Sequence, residues 1–341
     1  MNPPGDTAIS SDAGREAARR RRTRAVRGVF LVAFLGIASW VLRGLDAGRV
    51  WSALVVARAG WIILASVINL AAVLLQAVRW LALIRPMSSM VTLGSAFKSA
   101  IVGMAVSMVV PARAGELARV HWLARRTGLP RASILGSIVL DYLMNAAGMM
   151  LGLGLLSLFL PIPVWIRRGA SFVLLVFVIG ALLVFVARPD ASQPSRLSRW
   201  IPARLAGILA RARHGLTATG HPRALSKSLA ASLAAWALEI VVMVVTLRAV
   251  GLRLPVSAAF VVLLAVNLAL ALPFAPPGNV GTLEVGAALA LVGFGVPKEQ
   301  ALAFGIVYHV LQVIPVGVLG LIFSSRAVRA PTAEAEDAIG D

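Results

Sequence analysis

The feature that most constrains this chain is a series of long apolar stretches with few or no charged side chains. They cover residues 28–42, 60–84, 133–160, 169–187, 229–250 and 256–272. An α-helix needs ~20 such residues to cross a bilayer, and these stretches approach or exceed that length. Of the whole chain, 59% is hydrophobic and 14% is charged, whereas a soluble domain carries about a quarter charged residues. The pattern predicts an all-α polytopic membrane protein.

The basic residues are concentrated beside the apolar stretches. The formal net charge of +19 would also suit a nucleic-acid-binding protein. However, Arg and Lys cluster at residues 15–27 and 188–227, and Arg326 and Arg329 follow the last apolar stretch. Basic residues next to membrane spans mark the cytoplasmic side and can contact anionic lipid head groups. We therefore expect a multi-pass protein of the cytoplasmic membrane with both termini in the cytoplasm and no nucleic-acid partner.

This arrangement divides the chain into three regions. We expect residues 1–27 to form a disordered basic cytoplasmic tail, residues 28–325 a single transmembrane domain and residues 326–341 a second disordered tail. A cleaved signal peptide is the alternative for the N-terminus, but no convincing cleavage site follows the first apolar stretch. The sequence has no Cys and only 4 His, and no His pairs with a carboxylate at metal-ligand spacing. Neither a cofactor nor a metal site is expected.

Counting membrane sides along the chain predicts a first hairpin within residues 86–130, which start and end on the cytoplasmic side. Their second half carries Arg113, Glu116 and Arg119 among its charges. Each charge at the centre of a bilayer costs about 2.5–3.5 kcal/mol, so a lipid-facing span is disfavoured. A re-entrant hairpin buried within the protein satisfies this constraint. Its turn is expected at Pro111 and Gly115.

A second hairpin is predicted within residues 251–298, which start and end outside. The stretch "LPFAPPGNVGTLEVG" interrupts it, and its Pro277, Gly278 and Gly281 help to prevent a continuous helix. The two arms are apolar enough to be full spans, so their depth is left open. The complete prediction is about six full spans, at 28–45, 60–84, 133–160, 169–187, 229–250 and 301–323, plus the hairpin arms, or eight or so membrane segments.

Two segments align without gaps and indicate an inverted repeat. "GLPRASILGSIVLDYLMN" at 128–145 matches "GVPKEQALAFGIVYHVLQ" at 295–312. The first copy is predicted to begin inside and the second outside, as in transporters built from inverted repeats with midplane sites. Repeat one then covers about 60–160 and repeat two about 228–323, with a basic cytoplasmic loop at about 188–227. Chance similarity between apolar segments is the alternative.

The segment "PARAGELAR" supplies the first candidate site. Glu116 and Arg119 are three residues apart and share a helix face, with Arg113 just before them. Free backbone N–H groups at the start of a broken helix, next to Arg113, can bind a phosphate head group. The alternative is an internal Glu116–Arg119 ion pair that stabilises the hairpin, and both roles can hold together.

The segment "PPGNVGTLE" supplies the counterpart in the second half. Asn279 and Thr282 are neutral hydrogen-bonding residues, and Glu284 is an intramembrane acid that needs a partner or a proton. A structural hydrogen bond from the loop backbone is favoured for Glu284, and a proton-coupled role is the alternative.

Polar residues inside later spans are expected to face the protein interior and to contribute to substrate binding. Asp141 and Asn145 share one helix face, as do His309 and Gln312. For His309, a buried side chain with its hydrogen bonds satisfied is favoured over a proton carrier.

Three further charged residues lie in or beside the spans. Arg79 and Arg248 are near predicted span ends, where snorkelling explains an arginine. Glu239 lies deeper, and the sequence does not explain it.

The pattern Pro-x-Arg-x-Gly-Glu-x-x-Arg at 111–119, together with Pro-Gly-x-x-Gly-x-x-Glu at 277–284, resembles the lysylphosphatidylglycerol synthase transmembrane region family. Members of that family are flippase-like integral membrane proteins, and the resemblance covers most of residues 28–325. It implies a lipid-translocating membrane domain without the soluble aminoacyl-transferase domain, so aminoacylation is not expected.

The chain departs from the family pattern at three positions. Where the family often has acid-Arg-x-x-Asp, this chain has Asp141-Tyr142-Leu143-Met144-Asn145, and His309 and Asn279 replace a common Arg and a Gly. Two fewer membrane arginines weaken the expectation of simple anionic-lipid binding.

The sequence therefore predicts a flippase-like transporter that moves a lipid or lipid-linked head group, anionic or phosphate-bearing, across the membrane. The alternative is a non-transporting membrane protein that binds lipid for a separate partner enzyme. A membrane lipid transferase is disfavoured because no nucleophile–His constellation or acidic metal cluster is present.

Overall fold

The computed structural model describes residues 39, 45–110, 114–157, 168, 171, 174–182, 213–270 and 276–337. Within these residues the regular elements are helices. The α-helices discussed below are α1 Ala47–Val55, α2 Ala59–Ile84, α3 Leu93–Val109, α4 Ala114–Thr127, α5 Arg131–Ser157, α6 Pro222–Ala249, α7 Val256–Leu270, α8 Thr282–Val292 and α9 Lys298–Asp337. Short 3₁₀ helices cover Thr217–Gly220 and Pro277–Asn279.

Four helices of the described part are long and apolar enough to cross a membrane. The qualifying segments are Ala59–Ile84, Arg131–Leu155, Pro222–Ala249 and Lys298–Ser324. They correspond to four of the six predicted full spans and confirm the all-α polytopic class. The other two predicted spans, at 28–45 and 169–187, lie largely outside the described residues. Helix α9 continues to Asp337, beyond the boundary predicted at residue 325.

Two pairs of short helices separate the long ones. Helices α3 and α4 have 17 and 14 residues, and α7 and α8 have 15 and 11. At ~1.5 Å per residue even the longest is shorter than a ~30 Å hydrocarbon core. Within each pair the two helices pack against each other, α3 against α4 and α7 against α8. The chain therefore contains two helical hairpins at the predicted places, and their re-entrant path through the membrane stays a prediction.

The two halves of the chain repeat the same order of elements. A long helix, two short helices and a second long helix form α2 to α5, and again α6 to α9. The gap-free alignment is reflected in the backbone, because Gly128 and Gly295 have φ of 67° and 78°. Both conformations favour glycine, and helices begin three residues later at Arg131 and Lys298. The order of helices and the two glycine conformations thus recur in both halves, whereas the inverted repeat itself stays a prediction.

Close backbone approaches hold the short helices in place. A Cβ atom on Gly115 would lie 2.0 Å from the carbonyl oxygen of Gly103 and 2.0 Å from Ser107 Oγ. Helices α3 and α4 can therefore pack this closely only with glycine at 115, as is common between membrane helices. Across the repeats, α2 packs on α6, α3 on α9 and α5 on α6. Helix α3 also contacts the 3₁₀ helix Pro277–Asn279, so the two hairpins touch each other.

Candidate functional site

A cavity of about 380 Å³ lies between the two repeats. Helices from both halves line it, and many of the lining side chains are polar. These polar residues are Gln76, Ser107, Glu116, Arg119, Asn145, Trp236, Glu239, Asn267, Asn279, Tyr308, His309 and Gln312. Six of the predicted substrate-binding residues, which lie far apart in the sequence, therefore meet around one space, and Gly278 of the predicted break also lines it.

Arg119 presents a guanidinium to this cavity from helix α4. The guanidinium carbon Cζ of Arg119 lies 3.8 Å from the centre of the Trp80 ring, which is close enough for a cation–π contact. Its Nη1 is 3.8 Å from Glu116 Oε2, and its Nη2 is 3.7 Å from Asp141 Oδ2. Both distances exceed hydrogen-bonding range, and Arg119 Nε has no hydrogen-bond partner in the described part. Arg119 is thus held in place while part of its donor capacity remains unused.

Asp141 is buried behind the cavity and paired with Arg79. Arg79 Nε donates to Asp141 Oδ1 at 2.8 Å, Arg79 Nη2 donates to Asp141 Oδ2 at 3.3 Å, and Arg79 Nη1 donates to Asn145 Oδ1. Arg79 and Asp141 are 5% and 2% exposed. The snorkelling explanation for Arg79 is therefore wrong, because a carboxylate from another helix neutralises its charge inside the protein. The network fixes the Asn145 side chain that lines the cavity.

Glu116 is tied to the helix that follows the first hairpin. Tyr142 Oη donates to Glu116 Oε1 at 2.5 Å. Tyr142 stands where the family often has Arg, so here a neutral hydroxyl contacts the carboxylate. Glu116 also faces Arg119, and the predicted internal ion pair is therefore present at the 3.8 Å separation.

Glu284 and His309 form the corresponding contact in repeat two. His309 Nδ1 lies 2.6 Å from Glu284 Oε1, and the backbone N–H of Gly281 donates to Glu284 Oε2 at 2.8 Å. The second bond satisfies a free N–H at the start of α8, in agreement with the favoured prediction that Glu284 accepts a hydrogen bond from the loop backbone. His309 Nε2 lies 2.9 Å from the carbonyl oxygen of Gly278. His309 lines the cavity, whereas Glu284 is behind it.

The Pro-Gly turn brings the two hairpins into contact. Gly278 and Asn279 have φ of 65° and 59°, and Gly281, which precedes α8, has φ of 81°. A Cβ atom on Gly278 would lie 3.3 Å from the carbonyl oxygen of Met108 near the end of α3. The tight turn, which includes Pro277, therefore packs against the tip of the other hairpin and presents Asn279 to the cavity.

The remaining predicted residues are placed differently. Thr282 is 3% exposed, its hydroxyl has no partner in the described part, and it does not line the cavity. Gln312 lines the cavity and donates through Nε2 to Tyr308 Oη at 2.7 Å. Pro111 and Arg113 lie outside the described residues.

The structure adds cavity residues that the motifs did not identify. Glu239 lines the cavity and makes no hydrogen bond or ion pair with the described residues. Gln76 and Asn267 also line it from the apolar helices α2 and α7. A signal for all three was present, because a polar side chain within a membrane span usually faces the protein interior. Among the described residues no group of three or more His, Cys, Asp or Glu could hold a metal ion.

Spanning helices arranged in two repeats around a polar internal cavity define an integral, polytopic membrane protein. The chain belongs to the family described as lysylphosphatidylglycerol synthase TM region, whose sequence profile matches residues 26–320. The resemblance predicted from the two motifs is thereby confirmed. The family places the chain among integral membrane proteins of lipid metabolism or transport. Neither the curated proteins nor the solved structures compared with the chain include a significant match.

Proposed function

We propose that the protein moves the head group of a membrane lipid across the cytoplasmic membrane by way of the cavity between its repeats. The observation that carries this proposal is the position of Arg119, whose partly unused guanidinium faces a cavity lined by both halves. A guanidinium is well suited to bind the phosphate of a lipid head group.

The size and chemistry of the cavity suit a head group. Its volume of about 380 Å³ lies within the ~300–1,000 Å³ that is usual for small-molecule sites. The amides of Asn145, Asn279 and Gln312 can hydrogen-bond glycerol or sugar hydroxyls, while Arg119 binds phosphate. The acyl chains would remain in the surrounding lipid.

The two repeats supply a means of alternating access. Each contributes one helical hairpin, and the hairpin tips meet at Met108 and Gly278. Rocking of one repeat against the other would open the cavity first to one side of the membrane and then to the other. We place both termini in the cytoplasm and assign no enzymatic step to the chain.

Transbilayer movement of labelled lipids in proteoliposomes tests the proposal. Val313→Trp places a large ring in the cavity, since Val313 lines it. Val310→Trp is the matched control on the same helix, because Val310 is 43% exposed and does not line the cavity. We expect Val313→Trp to slow lipid movement at least about tenfold, the effect of about 1.4 kcal/mol against the occupied cavity. Val310→Trp should remain close to wild type.

The lipid panel should include anionic, zwitterionic and amine-bearing head groups. If the wild-type protein accelerates the movement of none of them, the transport proposal fails. Retained lipid binding in that case would indicate the alternative, a non-transporting protein that presents lipid to a separate enzyme.

A further inference from the structure

The hydrogen bonds of His309 require one more proton than the residues carry in their usual neutral-pH forms. Nδ1 faces a carboxylate oxygen of Glu284, and Nε2 faces the carbonyl oxygen of Gly278. A neutral imidazole has one N–H and cannot donate to two acceptors. Both contacts are satisfied by an imidazolium beside a carboxylate, or by a neutral imidazole beside a protonated Glu284. In either form the Glu284–His309 pair holds one exchangeable proton.

Loss of that proton must break one of the two contacts. If His309 keeps its proton on Nδ1, the lone pair of Nε2 faces the Gly278 carbonyl oxygen. If it keeps the proton on Nε2, the lone pair of Nδ1 faces the Glu284 carboxylate. In both arrangements a nitrogen lone pair faces an oxygen atom that also carries negative charge density. This repulsion is costly because the site is largely buried. Deprotonation therefore favours release of either the Pro-Gly turn or the start of α8.

The pair is located where such a release would matter. His309 lines the cavity, and Gly278 packs against Met108 of the other hairpin. Glu284 is held close to α9, because a Cβ atom on Gly305 would lie 2.8 Å from Glu284 Cα. Because α8 and α9 are in close contact there, Glu284 and His309 cannot easily separate by movement of these helices. The turn at Gly278 is therefore the part that can move away.

Repeat one has the same contact without the second proton site. Tyr142 aligns with His309, and its hydroxyl donates to Glu116 as His309 contacts Glu284. A tyrosine hydroxyl holds the two helices together with one neutral donor. The contact by itself therefore does not need histidine, and the titratable version occurs in the repeat that contains the Pro-Gly turn.

Few other charges face this pair in the described part of the chain. Glu284 is the charged side chain that His309 contacts directly. Helix α2 contributes Arg79, which is paired with Asp141, and α1 contributes Arg49, which is exposed and pairs with Asp46. Helix α3 contributes Lys98, whose Nζ lies 5.7 Å from the centre of the Phe323 ring. The titratable side chains that share the cavity with His309 are Glu116 and Arg119 of α4, Glu239 of α6 and Tyr308 of α9.

We infer that the Glu284–His309 pair is a proton-binding site whose occupancy keeps the tips of the two hairpins together, so that proton binding and release drive or gate the opening of the cavity. The link to lipid movement rests on the proposed function, whereas proton binding and its effect on the hairpin tips do not.

Distance measurement between spin labels on the two tips tests this inference without any lipid assay. The sequence has no Cys, so Val109→Cys with Val280→Cys gives two labels without background. Both positions are open to labelling, at 77% and 61% exposed. We expect a single short distance at about pH 5 and a second, longer population that grows as histidine loses its proton toward about pH 8 and above.

Two substitutions separate the proton from the contact. In Glu284→Gln the amide can donate to His309 Nδ1 and accept from the Gly281 N–H, so it imitates the protonated acid permanently. We expect this variant to keep the short distance at every pH. In His309→Leu neither contact can form, so we expect the longer population even at low pH. His121→Gln, which replaces an exposed histidine on α4, is the control and should titrate like the wild type.

The inference fails if the wild-type distances are the same from about pH 5 to about pH 10, or if Glu284→Gln titrates like the wild type. If His309→Leu does not fold, the isosteric Glu284→Gln still decides the question. A pH-dependent distance without lipid movement in proteoliposomes would overturn the transport function and keep the proton site. Lipid movement with pH-independent distances would do the reverse.

Discussion

At the scale of single residues, two pairs of ionisable groups inside this membrane protein are satisfied by partners from other helices. Arg79 on α2 pairs with Asp141 on α5, and Glu284 on α8 pairs with His309 on α9. Arg119 lines the cavity beside the Arg79–Asp141 pair, stacked on Trp80 with weaker ion-pair contacts. The short contacts of the buried pairs stabilise the site, whereas the longer contacts of Arg119 leave it able to bind a ligand.

The Arg79–Asp141 pair leads to a prediction about stability. Arg79→Met removes the partner that makes the short bonds to Asp141 and leaves a buried carboxylate with Arg119 at 3.7 Å. Breaking a buried pair from one side costs about 3–5 kcal/mol, whereas replacing both members with apolar residues can be nearly neutral. We therefore expect Arg79→Met to unfold much more easily than the double variant Arg79→Met/Asp141→Leu.

Unfolding of the purified protein by denaturant in detergent micelles measures this difference. Equal destabilisation of the single and double variants would contradict the pairing. The comparison between the variants is informative even if both lose lipid movement.

At the scale of the helices, glycine decides how the hairpins pack. The α3–α4 hairpin has glycine at the crossing point, where Gly103 and Gly115 bring the two backbones into contact. The α7–α8 hairpin also has a tight contact, since a Cβ atom on Gly286 would lie 3.0 Å from Ala269 Cβ. Without a hydrophobic driving force between membrane helices, such close van der Waals contact is a main source of their association.

Gly115→Ala tests the contact between α3 and α4. The added methyl group would meet backbone and hydroxyl oxygens at 2.0 Å, so the helices must move apart. Overpacking of this kind costs about 1–3 kcal/mol. Gly152→Ala on α5 is the matched control, because a Cβ atom there meets nothing within 4 Å and alanine is the better helix former.

We expect the thermal unfolding temperature in detergent to fall for Gly115→Ala and to stay level or rise for Gly152→Ala. A similar response of the two variants would mean that α3 and α4 do not pack as closely as described.

At the scale of the whole molecule, two copies of one helical pattern enclose the cavity. The contacts between α2 and α6, and between α3 and α9, join the copies, and the hairpin tips meet at Gly278. Each copy supplies polar residues that its own sequence motif contains. The site exists only in the assembled pair, so neither half alone would form it.

The opposite orientation of the repeats is testable with single cysteines in the otherwise Cys-free chain. Arg125→Cys lies in α4 just before the Gly128 turn, and Gln300→Cys follows the equivalent Gly295 turn. Both positions are exposed. With a membrane-impermeant maleimide on intact spheroplasts, we expect labelling at 300 and labelling at 125 only after permeabilisation. Labelling of both from the same side would disprove the inverted repeat.

Much of this architecture could be predicted from local sequence. The apolar runs specified the spanning helices because a bilayer accepts only backbone that satisfies its own hydrogen bonds. The break at Pro277 and Gly278 followed from the covalent geometry of proline and glycine. The gap-free alignment paired Gly128 with Gly295, and both residues have a positive φ in the structure.

Apart from the local Glu116–Arg119 pair, the partners of the charged residues were not predictable in this way. Asp141 lies 62 residues beyond Arg79, and no periodicity links them. The position of Arg79 near a span end suggested contact with lipid head groups, yet helix crossing turns it toward α5. Glu239 was identified as an intramembrane acid, but its place in the cavity depends on where α6 meets α9.

The sequence by itself determined the helices, their breaks and the duplication, because these depend on hydrophobicity and backbone geometry within a few consecutive residues. Only the tertiary structure decided which charges neutralise each other and which face the cavity. Those choices depend on the crossing of helices distant in sequence, where a rotation of one helix exchanges a buried partner for an open space.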